Sequence, residues 1–253
     1  MNLQAAILAG GLGKRFRPYT DIIPKPMVPL GESEKPLLEY IITWLARGGI
    51  RNIVLLVGYR WKYIYNYFGD GTRFGVKIAY SLDDERYRDT GGALLKAVKK
   101  GAITSENVLV WYGDIVARVD VGGVYEVHKA AGSHATLVVA GKYQVPVGIV
   151  YEEGGRVLKV EEKPWLPLKA FIGIAVIKKE AILEAYNDLG TSFDIMSDLI
   201  PYMIRKGYRI TAYTYDGPWF DVGSLERYEK LDRDYIAELE EELGFKGTEE
   251  AVK

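Results

Sequence analysis

Three cations follow a glycine turn near the start of the chain. Leu8-Ala9-Gly10-Gly11-Leu12-Gly13-Lys14-Arg15 leaves the apolar run Ala5-Ala6-Ile7-Leu8, and Lys25 follows Arg15 by ten residues. Glycines leave backbone N–H groups bare, and with ammonium and guanidinium groups nearby they stabilise anionic oxygens, so the stretch has the make-up of a phosphate cradle. It matches neither familiar version. A P-loop aligned on Gly13-Lys14 would need Gly at Leu8 and Ser or Thr at Arg15, and a dinucleotide fingerprint starting at Gly11 would need a small residue at Phe16. A plain glycine turn leaving a buried strand is the competing reading.

Two acids stand in matching settings farther along. Asp114 ends the run Val108-Leu109-Val110-Trp111-Tyr112-Gly113, and Asp221 lies in Trp219-Phe220-Asp221-Val222-Gly223. Each follows a strand and neighbours a glycine, which puts a carboxylate at a carboxyl edge that a ligand can approach closely. Two carboxylates plus several phosphates make an octahedral magnesium site, because Mg²⁺ takes oxygen ligands and shares them with its substrate. Either acid alone reads equally well as a turn residue. In Glu162-Lys163-Pro164, the proline holds the lysine extended, and the glutamate is able to accept hydrogen bonds from hydroxyls; a solvated charge pair is the plainer reading. Asp89-Thr90-Gly91-Gly92-Ala93-Leu94 opens a helix with a glycine turn suited to close approach, or simply a helix start capped by Asp89 or Thr90.

The histidines argue by absence. Only His128 and His134 occur, without metal-ligand spacing or a serine–aspartate neighbourhood, so surface or helix-capping roles are expected. With no cysteine either, proton abstraction near neutral pH is poorly supplied. A reaction whose nucleophile is already ionised, such as one phosphate attacking another, needs mainly cations and positioning.

The elements that must hold these residues alternate. After strand 5–8, four prolines keep 17–31 irregular and hold Lys25 in a stiff loop. Pro36 opens a helix with Leu38, Ile41, Ile42 and Leu45 on one face, and Gly48-Gly49 ends it before strand 53–57. A helix over 61–68, a strand over 76–80, a helix over 92–100, a strand over 108–111 and a helix over 121–131 continue the alternation. This is an α/β pattern of doubly wound, mainly parallel type, which binds ligands at the carboxyl ends of its strands. From 135 the texture becomes β-rich, with short runs at 135–140, 147–151, 157–160 and 171–177. Helices at 179–186 and 194–206, strand 210–215 and a last helix over 225–243 capped by Ser224 complete the chain. The acidic stretch Glu238 to Glu242 is expected to be a solvated or partner-facing face, with a frayed tail after Gly244.

Composition narrows the partners. A chain of 253 residues with net charge -1 and 26% charged residues carries no basic footprint for a nucleic acid, so its cations must act locally. The absence of cysteine removes disulfides and cysteine-ligated metals, and no apolar run approaches the length of a membrane span. Together with a start that lacks a basic leader, these features predict a cytoplasmic protein with neither membrane nor nucleic-acid partner.

Taken together, Leu8 to Arg15, Pro24-Lys25-Pro26, Thr90 to Leu94, Gly113-Asp114, Glu162-Lys163-Pro164 and Trp219 to Gly223 resemble, in order and spacing, the sugar-1-phosphate nucleotidylyltransferases (NDP-sugar pyrophosphorylases) over residues 3 to 230. The resemblance implies a Rossmann-like sheet with a β-rich sugar-binding second half and a C-terminal helix. It implies one nucleotidyltransferase domain over 1–230, with a nucleotide-binding half to about 135 and a sugar-phosphate half over about 136–224; 231–253 is the rest of the C-terminal helix and tail. The implied reaction is Mg²⁺-dependent: a sugar 1-phosphate attacks the α-phosphorus of a nucleoside triphosphate, a hexose of glucose or mannose type being favoured. Carried over by motif position, Arg15 and Lys25 are catalytic; Leu8, Gly10, Gly11, Gly13 and Gly91 hold the nucleotide; Gly92, Glu162 and Lys163 hold the sugar phosphate; Asp114 and Asp221 bind the metal.

Two positions depart from the family's pattern: Asp89 stands where glycine is common, and Phe171-Ile172 replaces an asparagine before Gly173. The base and sugar are therefore left open. No hexapeptide repeats follow, so a stand-alone catalytic unit is expected, with room for homo-oligomerisation. The competing readings are a non-catalytic nucleotide-sugar-binding subunit of the same family and a nucleotide-sugar-dependent glycosyltransferase.

Overall fold

The computed structural model describes residues 2–245. Seven strands form its central sheet: β1 (Leu3–Ala9), β2 (Asn52–Val57), β3 (Lys77–Leu82), β4 (Asn107–Tyr112), β5 (Ala135–Ala140), β6 (Ala170–Lys178) and β7 (Ile210–Tyr215). Their spatial order is β7-β5-β6-β4-β1-β2-β3. Strands β1 to β4 run parallel, β6 is antiparallel to both β4 and β5, and β7 is parallel to β5. The doubly wound, mainly parallel expectation is met, and the β-rich second half extends the same sheet through β5, β6 and β7.

The sheet needs cover on both faces because its central strands are apolar throughout, as parallel strands buried on two sides must be. Period-two alternation sorts β1: Ala5, Ile7 and Ala9 join one core, and Ala6 joins the other. Helices α1 (Leu37–Arg47), α2 (Trp61–Phe68) and α4 (Val121–Ala130) cover the first face. Helices α3 (Asp89–Lys99), α5 (Lys179–Leu189) and α6 (Ile200–Arg205) cover the second. The segment expected as one helix over 194–206 is a π-helical stretch, Ile195–Leu199, that runs into α6. Asp194 caps it, accepting from the N–H groups of Met196 and Ser197.

Two expectations near the C-terminal end are corrected. The last helix is two, α7 (Leu225–Glu229) and α8 (Arg233–Leu243). Ser224 caps the first as expected, but Asp232 caps the second by accepting from Asp234 and Tyr235, and an N-cap has non-helical backbone, so the chain breaks there. The acidic run is not a solvated face throughout. Glu240 is fully buried, and its Oε1 accepts from the Tyr40 hydroxyl at 2.6 Å, the Ser33 hydroxyl at 2.7 Å and the Ser33 N–H at 3.0 Å. Desolvation raises the pKa of this carboxylate, but three donors to Oε1 outweigh it and hold the group below the usual carboxylate range, while Oε2 is buried without a partner among the described residues. The tail expected to fray lies, beyond Phe245, outside the described residues.

His128 is neither on the surface nor a cap. It is buried on α4, where its Nε2–H donates to Asn107 on β4 and its Nδ1 accepts from the Thr136 hydroxyl on β5. Those roles require the neutral ring, and burial pushes its pKa down to about 4. A small hairpin, Ile149–Glu153 with Arg156–Glu161, stands apart from the main sheet as its own two-stranded ladder.

Candidate active site

Two cavities open along the carboxyl ends of the parallel strands and share one wall. The first, of about 610 Å³, is lined by the end of β1 (Leu8, Ala9), the turn Gly10-Gly11-Leu12, Lys25, the segment after β3, Thr90, and Tyr112-Gly113-Asp114 after β4. The second, of about 830 Å³, is lined by Arg15, Asp114, Phe171, Gly173, Asp194, Asp221, Glu226, Arg227 and Lys230, among others. Tyr112 and Asp114 belong to both.

The glycines at the strand ends have separate duties. Gly11 has nothing within 4 Å of the place a β-carbon would take, so its backbone faces open space. Gly13 turns the chain at φ 60° and lines neither cavity; a β-carbon there would lie 2.7 Å from the Thr20 methyl and 3.4 Å from Lys25 Cβ. Its carbonyl accepts from the Thr20 hydroxyl at 2.9 Å, so Gly13 folds the proline-rich loop back and sets Lys25 beside the turn. Gly113 is required for packing, since a β-carbon would sit 2.5 Å from the Leu8 carbonyl oxygen that its own N–H binds.

Asp114 and Asp221 are 107 residues apart and become neighbours through a short antiparallel ladder. Trp219–Asp221 pairs with Ile115–Ala117, Asp221 opposite Ile115, and the Val222 N–H donates to the Asp114 carbonyl at 2.8 Å. Lys25 Nζ donates to Asp114 Oδ2 at 2.5 Å, with both side chains about one-fifth exposed or less. Arg227 pairs with Asp221 Oδ2, whereas Asp221 Oδ1 is buried without a hydrogen-bond partner. The Arg15 guanidinium lies over the same ladder's end: a β-carbon on Gly223 would come 3.2 Å from its Nη2.

Other expected site residues are placed differently. Gly91 and Gly92 line neither cavity. Both N–H groups donate to the Phe193 carbonyl, at 2.9 and 3.1 Å, and a β-carbon on Gly91 would lie 2.2 Å from the Phe193 ring, so these glycines admit a packing neighbour rather than a ligand. Neither Asp89 nor Thr90 caps α3: the Thr90 hydroxyl donates to Asp194, and Asp89 accepts from Ser192. Glu162 and Lys163 lie outside both linings, exposed and 3.5 Å from each other. Lys163 still reaches the rim electrostatically. Glu226 in the second cavity is held below the usual carboxylate range by its bond to Lys230 and, in smaller part, by the charges of Arg227 and Lys163.

Asp83, Asp194, Arg227 and Lys230 also line the cavities, beyond the residues expected from sequence. Asp83 carries a local signal, being the first acid after an apolar strand at the end where ligands bind. Arg227 and Lys230 had no signal, because a basic residue on a short exposed helix is ordinary.

The Nucleotidyl transferase family model matches residues 4–238. The chain belongs to that family. As a nucleotidyl transferase, it is 32% identical over 235 residues to the D-glycero-alpha-D-manno-heptose 1-phosphate guanylyltransferase of Aneurinibacillus thermoaerophilus, covering 92% of this chain and 98% of that one. It is 30% identical over 242 residues to the UTP--glucose-1-phosphate uridylyltransferase of Synechocystis, covering 89% of this chain but 61% of the relative, whose length it therefore spans by less than two thirds. Among solved structures, HddC from Yersinia pseudotuberculosis complexed with GMP-PN superposes with a TM-score of 0.69 at 24% identity, over 92% of this chain and 99% of that one, a likeness of fold.

Proposed function

We propose that this nucleotidyl transferase joins a nucleoside monophosphate to a hexose 1-phosphate of glucose or mannose type. A phosphate oxygen of the sugar 1-phosphate forms a bond to the α-phosphorus of a nucleoside triphosphate, the bond from that phosphorus to the bridging oxygen breaks, and pyrophosphate leaves. The observation that carries this reading is the wall shared by the two cavities, where Asp114 and its partner Lys25 stand between a glycine-turn pocket and a roomier one. A transfer between two bound phosphates needs that arrangement, one pocket per substrate with charge at the boundary. The relatives' names, all sugar or heptose 1-phosphate transferases, support it.

The end of the ladder, in the second cavity beside the shared wall, suits a magnesium ion. Asp221 Oδ1 is a buried oxygen with no partner among the described residues, Asp114 precedes the residue paired with Asp221, and both side chains offer carboxylate oxygen. Among the described residues no cluster of three or more His, Cys, Asp or Glu side chains forms a metal cage, so substrate phosphates would supply the remaining ligands. When bound, the ion would neutralise phosphate charge and align the reacting groups. The chain's own cations do the rest: Lys25 reaches the boundary where charge develops, and Arg15 faces it from the second cavity.

The test is pyrophosphate release measured over a matrix of nucleoside triphosphates and sugar 1-phosphates with Mg²⁺. Turnover of at least one hexose 1-phosphate is the expected result. Silence in every well, with measurable NDP-sugar binding, overturns the reading in favour of a non-catalytic binding subunit.

A further inference from the structure

One acid in the first cavity is fixed at the sheet edge, and its carboxylate has no hydrogen-bond or ion-pair partner among the described residues. Asp83 follows β3, and its N–H donates to the Val57 carbonyl at 2.7 Å, which fixes the residue on the end of β2. A β-carbon on Gly58 would lie 1.8 Å from its Oδ2, and one on Gly10 would lie 2.9 Å away, so two glycines form a notch that the carboxylate fills. The residue is exposed as a whole, but the desolvation of its carboxylate against the two glycines raises its pKa, opposed only by the charge of Lys96, and no hydrogen bond contributes. Its neighbour Asp84 is different, being paired with Arg86 and Lys96.

The lining carries both signs: Lys25 and Arg88 are cationic, and Asp83, Asp84, Glu85, Asp89 and Asp114 are acidic. Asp84 is already compensated by Arg86 and Lys96, so it is the unpaired Asp83 carboxylate that repels a triphosphate and accepts from a base, which places the nucleoside end against Asp83. An ionised carboxylate only accepts hydrogen bonds, through two parallel oxygens. Guanine alone among the common bases presents two adjacent donors on one edge, N1–H and the N2 amine. Uracil's N3–H is flanked by two carbonyl oxygens, and adenine and cytosine set their amine beside a ring-nitrogen lone pair, so each of these turns an acceptor toward the carboxylate.

We propose that Asp83 selects guanine as the base, accepting from N1–H and the N2 amine, so that GTP is the nucleotide substrate. This rests on the reading of the first cavity as the nucleotide pocket. The nearness of Asp83 to Gly10 places the base beside the start of the glycine turn, whose continuation lies next to Lys25.

The experiment is calorimetric binding of nucleoside diphosphates with Mg²⁺, which needs no turnover. Wild-type protein is expected to bind GDP at least about tenfold more tightly than IDP, which lacks only the N2 amine, and more tightly than ADP, CDP and UDP, since a site built for a donor rejects analogues without it. Asp83→Asn replaces one acceptor by a donor, and xanthine presents a donor beside an acceptor; the variant is expected to reverse the order of GDP and XDP. Equal binding of GDP and IDP by the wild-type protein overturns the proposal, as does an unchanged order in the variant. A carboxylate that reads the ribose would give equal binding of all bases, which also overturns it. If the variant does not fold, the wild-type comparison of GDP with IDP decides. Guanine preference without pyrophosphate release sinks the enzymatic reading alone, and turnover that prefers UTP or ATP sinks this proposal alone.

Discussion

Lys25 and Lys163 each precede a proline, yet the protein holds them in opposite ways. The Lys25 side chain is 16% exposed and bonded to Asp114, on a loop folded against the end of the buried sheet. Lys163 is 58% exposed, at φ 45°, beyond a hairpin whose Val150, Val157, Leu158 and Val160 all face solvent. The same dipeptide is preorganised in one region and free in the other. The extended backbone expected of Lys163 before Pro164 is not found, since its φ of 45° is left-handed; packing and a partner, not proline, fix an ammonium, which otherwise loses rotamer freedom when it binds. Charge at the shared wall should therefore matter to the transition state, and charge on the arm to ground-state capture.

Removing Asp221 would break the comparison most sharply. Asp221→Ala deletes the buried unpartnered oxygen and frees Arg227, and turnover is expected to fall on the order of a thousandfold, since a catalytic metal contributes several kcal/mol and each 1.4 kcal/mol is tenfold. Rates titrated against Mg²⁺ check it; near-normal activity at low Mg²⁺ would show that the ladder between Ile115–Ala117 and Trp219–Asp221 does not hold the ion. Lys25→Ala should lower kcat by roughly a hundredfold with little change in KM, the pattern of an interaction made only in the transition state. An effect confined to KM would place Lys25 in ground-state binding, on a par with Lys163.

The contrast extends to stability. Ile7 on β1 is fully buried, and Ile7→Ala is expected to cost about 2–5 kcal/mol in urea unfolding; Val157 on the hairpin is 57% exposed, and Val157→Ala should change stability by less than about 0.5 kcal/mol. Within the central sheet, His128 ties α4 to two strands, bonding Asn107 on β4 and Thr136 on β5. Its pKa is lowered from 6.5 to about 4, so between those values the unfolded chain takes up a proton that the folded one refuses, and stability falls as pH falls. The loss should approach about 3 kcal/mol near pH 4, at 1.36 kcal/mol per unit. Urea melts at pH 7.5 and 4.5 check the sign, with His128→Gln expected to flatten the difference.

Legibility in the sequence followed the same divide. Apolar runs, the glycine turn and the acids after strands were readable because burial on both faces and close approach leave local marks on composition. What could not be read was pairing at a distance. Nothing local says that Trp219–Asp221 lies against Ile115–Ala117, that Phe193 fills the space above Gly91, or that Tyr40 and Ser33 meet Glu240 and let an acid sit in the core. His128 was misread for that reason, since its two partners come from different strands. The notch that holds Asp83 is of the same kind, since Gly10 and Gly58 come from the ends of two other strands and nothing local to Asp83 shows that they meet it.

The smallest effect is expected on the arm, and it is the one that separates capture from catalysis. Among the described residues Lys163 pairs with exposed Glu162 alone, and its charge reaches the second cavity through Glu226. A solvated ammonium of this kind contributes about 1 kcal/mol or less in water, and somewhat more once a phosphate dianion displaces the solvent. Lys163→Ala should therefore raise KM for the sugar 1-phosphate by about five- to tenfold and leave kcat and KM for the nucleotide within about twofold, the signature of lost uniform binding. High salt should shrink the difference between wild type and variant, because an exposed charge is screened whereas Lys25 against Asp114 is much less so. A fall in kcat as large as that of Lys25→Ala would mean that the arm closes onto the shared wall during turnover, and the two lysines would then act in one region.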